Sequence, residues 1–180
     1  FFRAILFLLL LSGALAGMTM IEPPCRGYPG SLNAPTDEPI NRRDPWAAKT
    51  YPCQGYGKGP VQRSYRAGMS ISTRFSGTSG RGQGGHCQFS LSYDGGKTFI
   101  VIRTILGSCL KGADRAYSIR LPKSAPSGDA IFSWTWYNAK GSRDMYQNCA
   151  DIHIRGSVAG VLTGPRLLIA QLPGTPWIPE

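Results

Sequence analysis

Five cysteines, two histidines and ten carboxylates are the side chains best suited to chemistry in this 180-residue chain. The cysteines, Cys25, Cys53, Cys87, Cys109 and Cys149, are widely spaced and lack the C-x-x-C pairs of a zinc site. In an exported chain such cysteines are expected to be bridged, and an odd number leaves one thiol over, free or bonded to another chain. Asp144 and Asp151 do not read as a glycosidase pair, which needs two carboxylates at a defined separation across a cleft. His153 stands in the alternating run Asp151-Ile-His-Ile154 and is expected as an exposed strand residue. Trp134 and Trp136 share one parity on a strand, so both should pack on the core side. The better candidates for stacking on sugar rings are Tyr28, Trp46, Tyr51 and Tyr56, which lie in what reads as exposed loop.

The elements that must position these residues are strands. From Met18 to Pro60 the composition is rich in Pro, Gly, Asn and Asp and reads as a long irregular segment held by its cysteines. Alternation of apolar and polar residues then predicts strands over Met69–Phe75 and Cys87–Tyr93. Asp94-Gly95-Gly96 supplies a tight hairpin turn into a β-branched strand over Thr98–Ile105. Further strands are expected over Ala116–Leu121, Ala130–Asn138, Tyr146–Ile154 and Arg166–Leu172. Seven short strands with turn signals between them argue for an all-β sandwich.

Arg3, the apolar run Ala4–Leu11 and the small residues Ser12–Ala16 read as a secretory signal peptide cleaved after Ala16. The run is shorter than the roughly 20 apolar residues that span a bilayer. The chain opens on Phe rather than Met, as a piece lacking its first residues would. Residues 17–180 are then expected to form one secreted, extracellular domain. The formal charge of +10 includes Arg3. The basic residues are scattered, with no run of five and no nucleic-acid motif, so the charge reads as solubility and weak attraction to an acidic matrix. Neither nucleic acid nor a membrane is an expected partner, and a monomer is expected.

Four stretches carry a resemblance. They are Met18-Thr-Met-Ile-Glu-Pro-Pro-Cys-Arg26, Gly85-His-Cys-Gln-Phe-Ser-Leu-Ser-Tyr-Asp-Gly-Gly-Lys-Thr-Phe99, Ala125-Pro-Ser-Gly-Asp-Ala-Ile-Phe-Ser-Trp-Thr-Trp136 and Asp144-Met-Tyr-Gln-Asn-Cys-Ala-Asp151. In this order the chain resembles the fungal-type lytic polysaccharide monooxygenases and their chitin-binding type 4 relatives. The resemblance implies an immunoglobulin-like (fibronectin III-like) β-sandwich with long N-terminal loops and disulfides. It implies bridges Cys87–Cys109 and Cys53–Cys149, leaving Cys25 unpaired. It also implies a copper ion in a brace of two histidines, a donor set whose nitrogens suit Cu(II), with a tyrosine near the axial position.

The sequence departs from that pattern at both nitrogen positions. Gly17 stands where the first mature residue would be histidine, and Gly82 where the second histidine would precede Cys87. Tyr146 matches the axial tyrosine. Asp144 matches a position where relatives carry Glu or Gln aimed at the oxygen species; with no metal to serve, it is expected as a surface carboxylate. His86 is a weak candidate substitute ligand and otherwise a loop-packing residue. The expectation is a polysaccharide-binding protein (chitin, cellulose or an acidic wall polymer), non-catalytic and without a cofactor. The alternatives are a working copper monooxygenase with atypical ligands, or an interaction protein that keeps only the scaffold.

Overall fold

A computed structural model describes residues 18–28, 40, 49–77, 84–111, 115–139 and 143–178. Its strands are β1 (Met18–Glu22), β2 (Arg63–Arg66), β3 (Ser70–Gly77), β4 (Gly85–Ser92), β5 (Ile100–Ile105), β6 (Ala116–Arg120), β7 (Gly128–Asn138) and β8 (Met145–Arg155). The one helical element among the described residues is a single 3-10 turn, Cys53–Gly55. No helix among them is long and apolar enough to cross a membrane.

Two sheets face each other as an immunoglobulin-like β-sandwich. One has the order β1-β3-β6 and the other β2-β8-β7-β4-β5. Alternation along the strands explains the layers. On β7, Phe132, Trp134 and Trp136 point between the sheets with Phe89 and Leu91 of β4 and Ile152 and Ile154 of β8. Phe75 of the small sheet meets Trp134 at 4.6 Å between ring centroids. Burying each such side chain contributes about 1.5–3 kcal/mol.

The other face of the large sheet carries Ile131, Tyr137, Met145 and Cys149, and it is covered rather than solvated. Cys53, Ile40 and the segment from Leu167 to Leu172 pack onto it in two smaller apolar clusters. The disulfide Cys53–Cys149 closes a separation of 96 residues and fixes the N-terminal cover to β8; Cys87–Cys109 fixes β4 to the loop after β5. Cys25 is buried and lies outside both bridges.

The expected strand over Arg166–Leu172 is absent. Its backbone makes one isolated bridge, Ile100 to Arg166. Beyond it the donors turn to side chains: Leu168 N–H donates to Gln88 Oε1 and Ala170 N–H to the Tyr137 hydroxyl. A segment whose amides are satisfied that way has no ladder to join. Conversely, β1 and β2 form inside or beside the stretch that composition marks as loop. β2, polar but for Tyr65, which packs on the main core, pairs parallel with β8 at the sheet edge.

Candidate functional site

Gly17, Gly82 and Trp46 lie outside the described residues. Their neighbours locate one end of the sandwich. Met20 N–H donates to the Asn148 side chain at 2.7 Å, and Arg26 pairs with Asp151 further along β8. β1 therefore runs beside β8 with Met18 toward Tyr146. Tyr146 pairs in register with Trp136, points between the sheets, and is 7% exposed. The two rings lie 5.0 Å apart, and Trp136 in turn stacks on Trp134 at 6.1 Å and 17°. Trp134 and Trp136 are thus core residues. Trp136 Nε1–H is buried without an acceptor. Asp144, before β8, is half-buried.

His86 is at the same end but on the wrong face. It pairs in register with Tyr137, one residue out of phase with Trp136, so its ring projects to the outer side of the sheet while Tyr146 projects inward. His86 Nδ1 accepts the Gly107 N–H at 3.2 Å. The other histidine, His153, pairs with Asp129, eight residues from Tyr137 on β7, about 26 Å away at strand rise. The chain has only these two histidines, so no two imidazoles can share a metal. Among the described residues no three His, Cys, Asp or Glu side chains cluster as a metal site. The donors present do not fit a copper brace.

The opposite end of β7 and β8 holds a cavity of about 530 Å³ on the outer face, lined by residues that include Tyr51, Tyr56, Lys58, Tyr93, Asp129 and Ile131. Its wall is built by the N-terminal loop. Arg26 makes a two-point pair with Asp151 at 2.6 and 2.8 Å, and Gly59 N–H donates to the same carboxylate at 2.8 Å. Cys53 N–H donates to Gln147 Oε1 beside the disulfide. At the mouth, Asp129 accepts from Lys58 at 3.4 Å and contacts His153 Nδ1 at 2.9 Å. The hydrogen bond with His153, then that with Lys58, holds its carboxyl below the usual range.

The loop tyrosines are half-buried rather than exposed. Tyr28 packs against the main core. Tyr51 sits 6.5 Å from Phe99. Tyr56 has Gly27 against its ring, where a Cβ would come within 2.6 Å of Cε2, and its hydroxyl accepts from Lys49 Nζ at 2.6 Å. Tyr51 and Tyr56 do line one cavity, but Tyr28 does not. Sequence reasoning missed Tyr93, Asp129 and Lys58, which the fold collects from distant segments. It also missed Trp177, 55% exposed, with Arg143 at 5.5 Å over its ring.

Comparison with known proteins agrees with this architecture. The chain is 42% identical over 109 residues to AA11 family lytic polysaccharide monooxygenase A of Aspergillus fumigatus, covering 59% of this chain and 48% of that protein. It is 33% identical over 106 residues to an AA11 family lytic polysaccharide monooxygenase of Aspergillus oryzae, covering 50% of this chain and 25% of that protein. The chain is lytic polysaccharide monooxygenase-like. It spans less than half the length of these curated relatives. A crystal structure of a cellulose-active polysaccharide monooxygenase from M. thermophila aligns over 81% of this chain and 79% of that one, with TM-score 0.50 and 14% identity. The crystal structure of HiLPMO9B aligns over 84% and 81%, with TM-score 0.51 and 13% identity. At such identities the monooxygenase-like chain shares the fold of these structures. No family model matches it.

Proposed function

We propose that this chain is a secreted polysaccharide-binding protein on a lytic polysaccharide monooxygenase-like scaffold, without copper-dependent oxidation. The observation that carries the reading is the placement of its two histidines at opposite ends of the large sheet, with glycine at both brace positions. Glycine offers a metal only backbone groups, and one imidazole directed away from Tyr146 does not replace two. The polysaccharide part of the reading draws on the activities named for the relatives and on the retained sandwich.

The test is a Cu(II) titration of the secreted protein by calorimetry and electron paramagnetic resonance, beside pull-down on insoluble chitin, cellulose and pectin. Copper binding no tighter than about micromolar, roughly −8 kcal/mol, together with retention on one polymer, is the expected result. A tight nitrogen-rich copper centre with release of oxidised oligosaccharides would overturn the non-catalytic part. Retention on none of the polymers would leave an interaction protein in its place.

A further inference from the structure

We propose that the cavity at the Asp129 end is a binding site for an uncharged oligosaccharide, separate from the end that holds Tyr146. Its volume of about 530 Å³ falls within the usual range for small-ligand sites, which join apolar walls to a few convergent polar groups. The walls supply the apolar part with Tyr51, Tyr56, Tyr93 and Ile131. The polar part is Asp129 with Lys58.

Charge selects the ligand class. The charged lining residues are Arg26, Lys58, Asp129 and Asp151, two of each sign. They pair off as Arg26–Asp151 and Lys58–Asp129. An anionic sugar would meet no net positive charge there, despite the +10 of the whole chain, and would have to compete with two carboxylates. A neutral polyol meets acceptors and donors together. Asp129 is half exposed, and a carboxylate has about four acceptor positions. Lys58, 68% exposed and held by one long contact of 3.4 Å, can turn its other hydrogens to sugar hydroxyls.

The site is preformed. The Cys53–Cys149 bridge, the Arg26–Asp151 pair and the Gly59 hydrogen bond fix the loop wall to β8, so ordering it on binding costs little. Asp129 and Trp136 are seven residues apart on one strand, about 23 Å, so a ligand here leaves the Tyr146 end untouched.

The choice of sugar rests on the polysaccharide reading, but the test reads a different ligand form. Cellotriose, chitotriose and trigalacturonic acid are titrated into the full secreted chain by calorimetry and by amide chemical-shift mapping. One neutral trimer should bind and shift residues around Lys58, Tyr93, Asp129 and Ile131. Asp129→Asn should weaken it by about tenfold, the loss of one charge-assisted hydrogen bond. Trp177→Ala, at the other end, should leave it unchanged. The inference is overturned if no neutral trimer binds, if the acidic trimer binds more tightly, if the shifts gather around Gly85 and Trp136, or if Asp129→Asn binds like wild type. Retention on insoluble polymer without trimer binding at the cavity would sink this inference and leave the proposed function standing. Trimer binding at the cavity without retention on any polymer would do the reverse.

Discussion

The two ends of β7 and β8 are built from the same pair of strands and differ in what fills them. At the Trp136 and Tyr146 end, stacked rings and glycine close the space, and a buried indole N–H is left without an acceptor. At the Asp129 and Asp151 end, ion pairs and a bridged loop hold a cavity open. A sandwich couples its ends only through a core packed between them, so one end can lose its chemistry while the other keeps its shape. The fold alone therefore does not say which end works.

The largest expected effect is at the cavity wall. Asp151→Ala should destabilise by about 3–5 kcal/mol, because it leaves the Arg26 guanidinium buried and unpaired, with the two side chains only 10% and 6% exposed, and deprives Gly59 N–H of its acceptor. Replacing both partners, as Arg26→Met with Asp151→Leu, should recover part of that loss. Urea unfolding gives the midpoints. Asp129→Ala, in the exposed pair at the mouth, should not move the midpoint measurably. If both alanine variants behaved alike, the division between a fixed wall and an open mouth would be wrong.

A middling effect is expected at the closed end. Gly85 holds φ +141°, and a Cβ there would first strike the Tyr137 carbonyl oxygen and would come within 2.6 Å of Trp136 Nε1. Gly85→Ala should cost about 1–3 kcal/mol through overpacking and backbone strain. Gly95→Ala, at φ +74° in the hairpin beside the cavity with nothing within 4 Å, should lose only the backbone part, about 1 kcal/mol. Thermal unfolding of the two variants compares them directly. Equal losses would mean that the β4 and β7 backbones around Gly85 give way more easily than their close approach implies.

How far the sequence is legible follows the same division. Alternation marks β3 and β4, and β-branched or aromatic runs mark β5 and β7, whose sheet is buried on both faces over much of its length, so β3 to β8 are readable within a residue or two. β2 carries Arg63, Ser64, Tyr65 and Arg66 at a sheet edge, and its single core contact, Tyr65, is too little to make a pattern. β1 is short and sits in a stretch whose overall composition marks loop. Gly17 and Gly82 are visible as letters in the sequence. The face on which His86 lies is not, because it depends on a register shared with Tyr137. The cavity was illegible for a different reason: Arg26, Lys58, Tyr93, Asp129 and Asp151 come from five separate segments, and none has a local pattern that marks a pocket.

The smallest effect concerns Tyr93, whose hydroxyl donates to Pro126 O at 2.9 Å. Burial pushes it up from 10.0 to about 12. The unfolded chain therefore ionises first as pH rises. The stabilisation from the sheltered neutral hydroxyl is complete below about pH 10 and lost as pH climbs through about 12. Tyr93→Phe should cost about 1 kcal/mol at neutral pH, the usual net value of one hydrogen bond. The gap between variant and wild type should then narrow over that alkaline window. The narrowing should be modest, because the residue is only partly buried and solvent screening weakens the shift. Tyr51 and Tyr65 are also pushed up, chiefly by burial, so both proteins should still lose stability there. Urea midpoints against pH read the difference. A gap that stayed constant would mean that Tyr93 is as wet as a surface tyrosine and that the cavity has one wall fewer than the structure gives it.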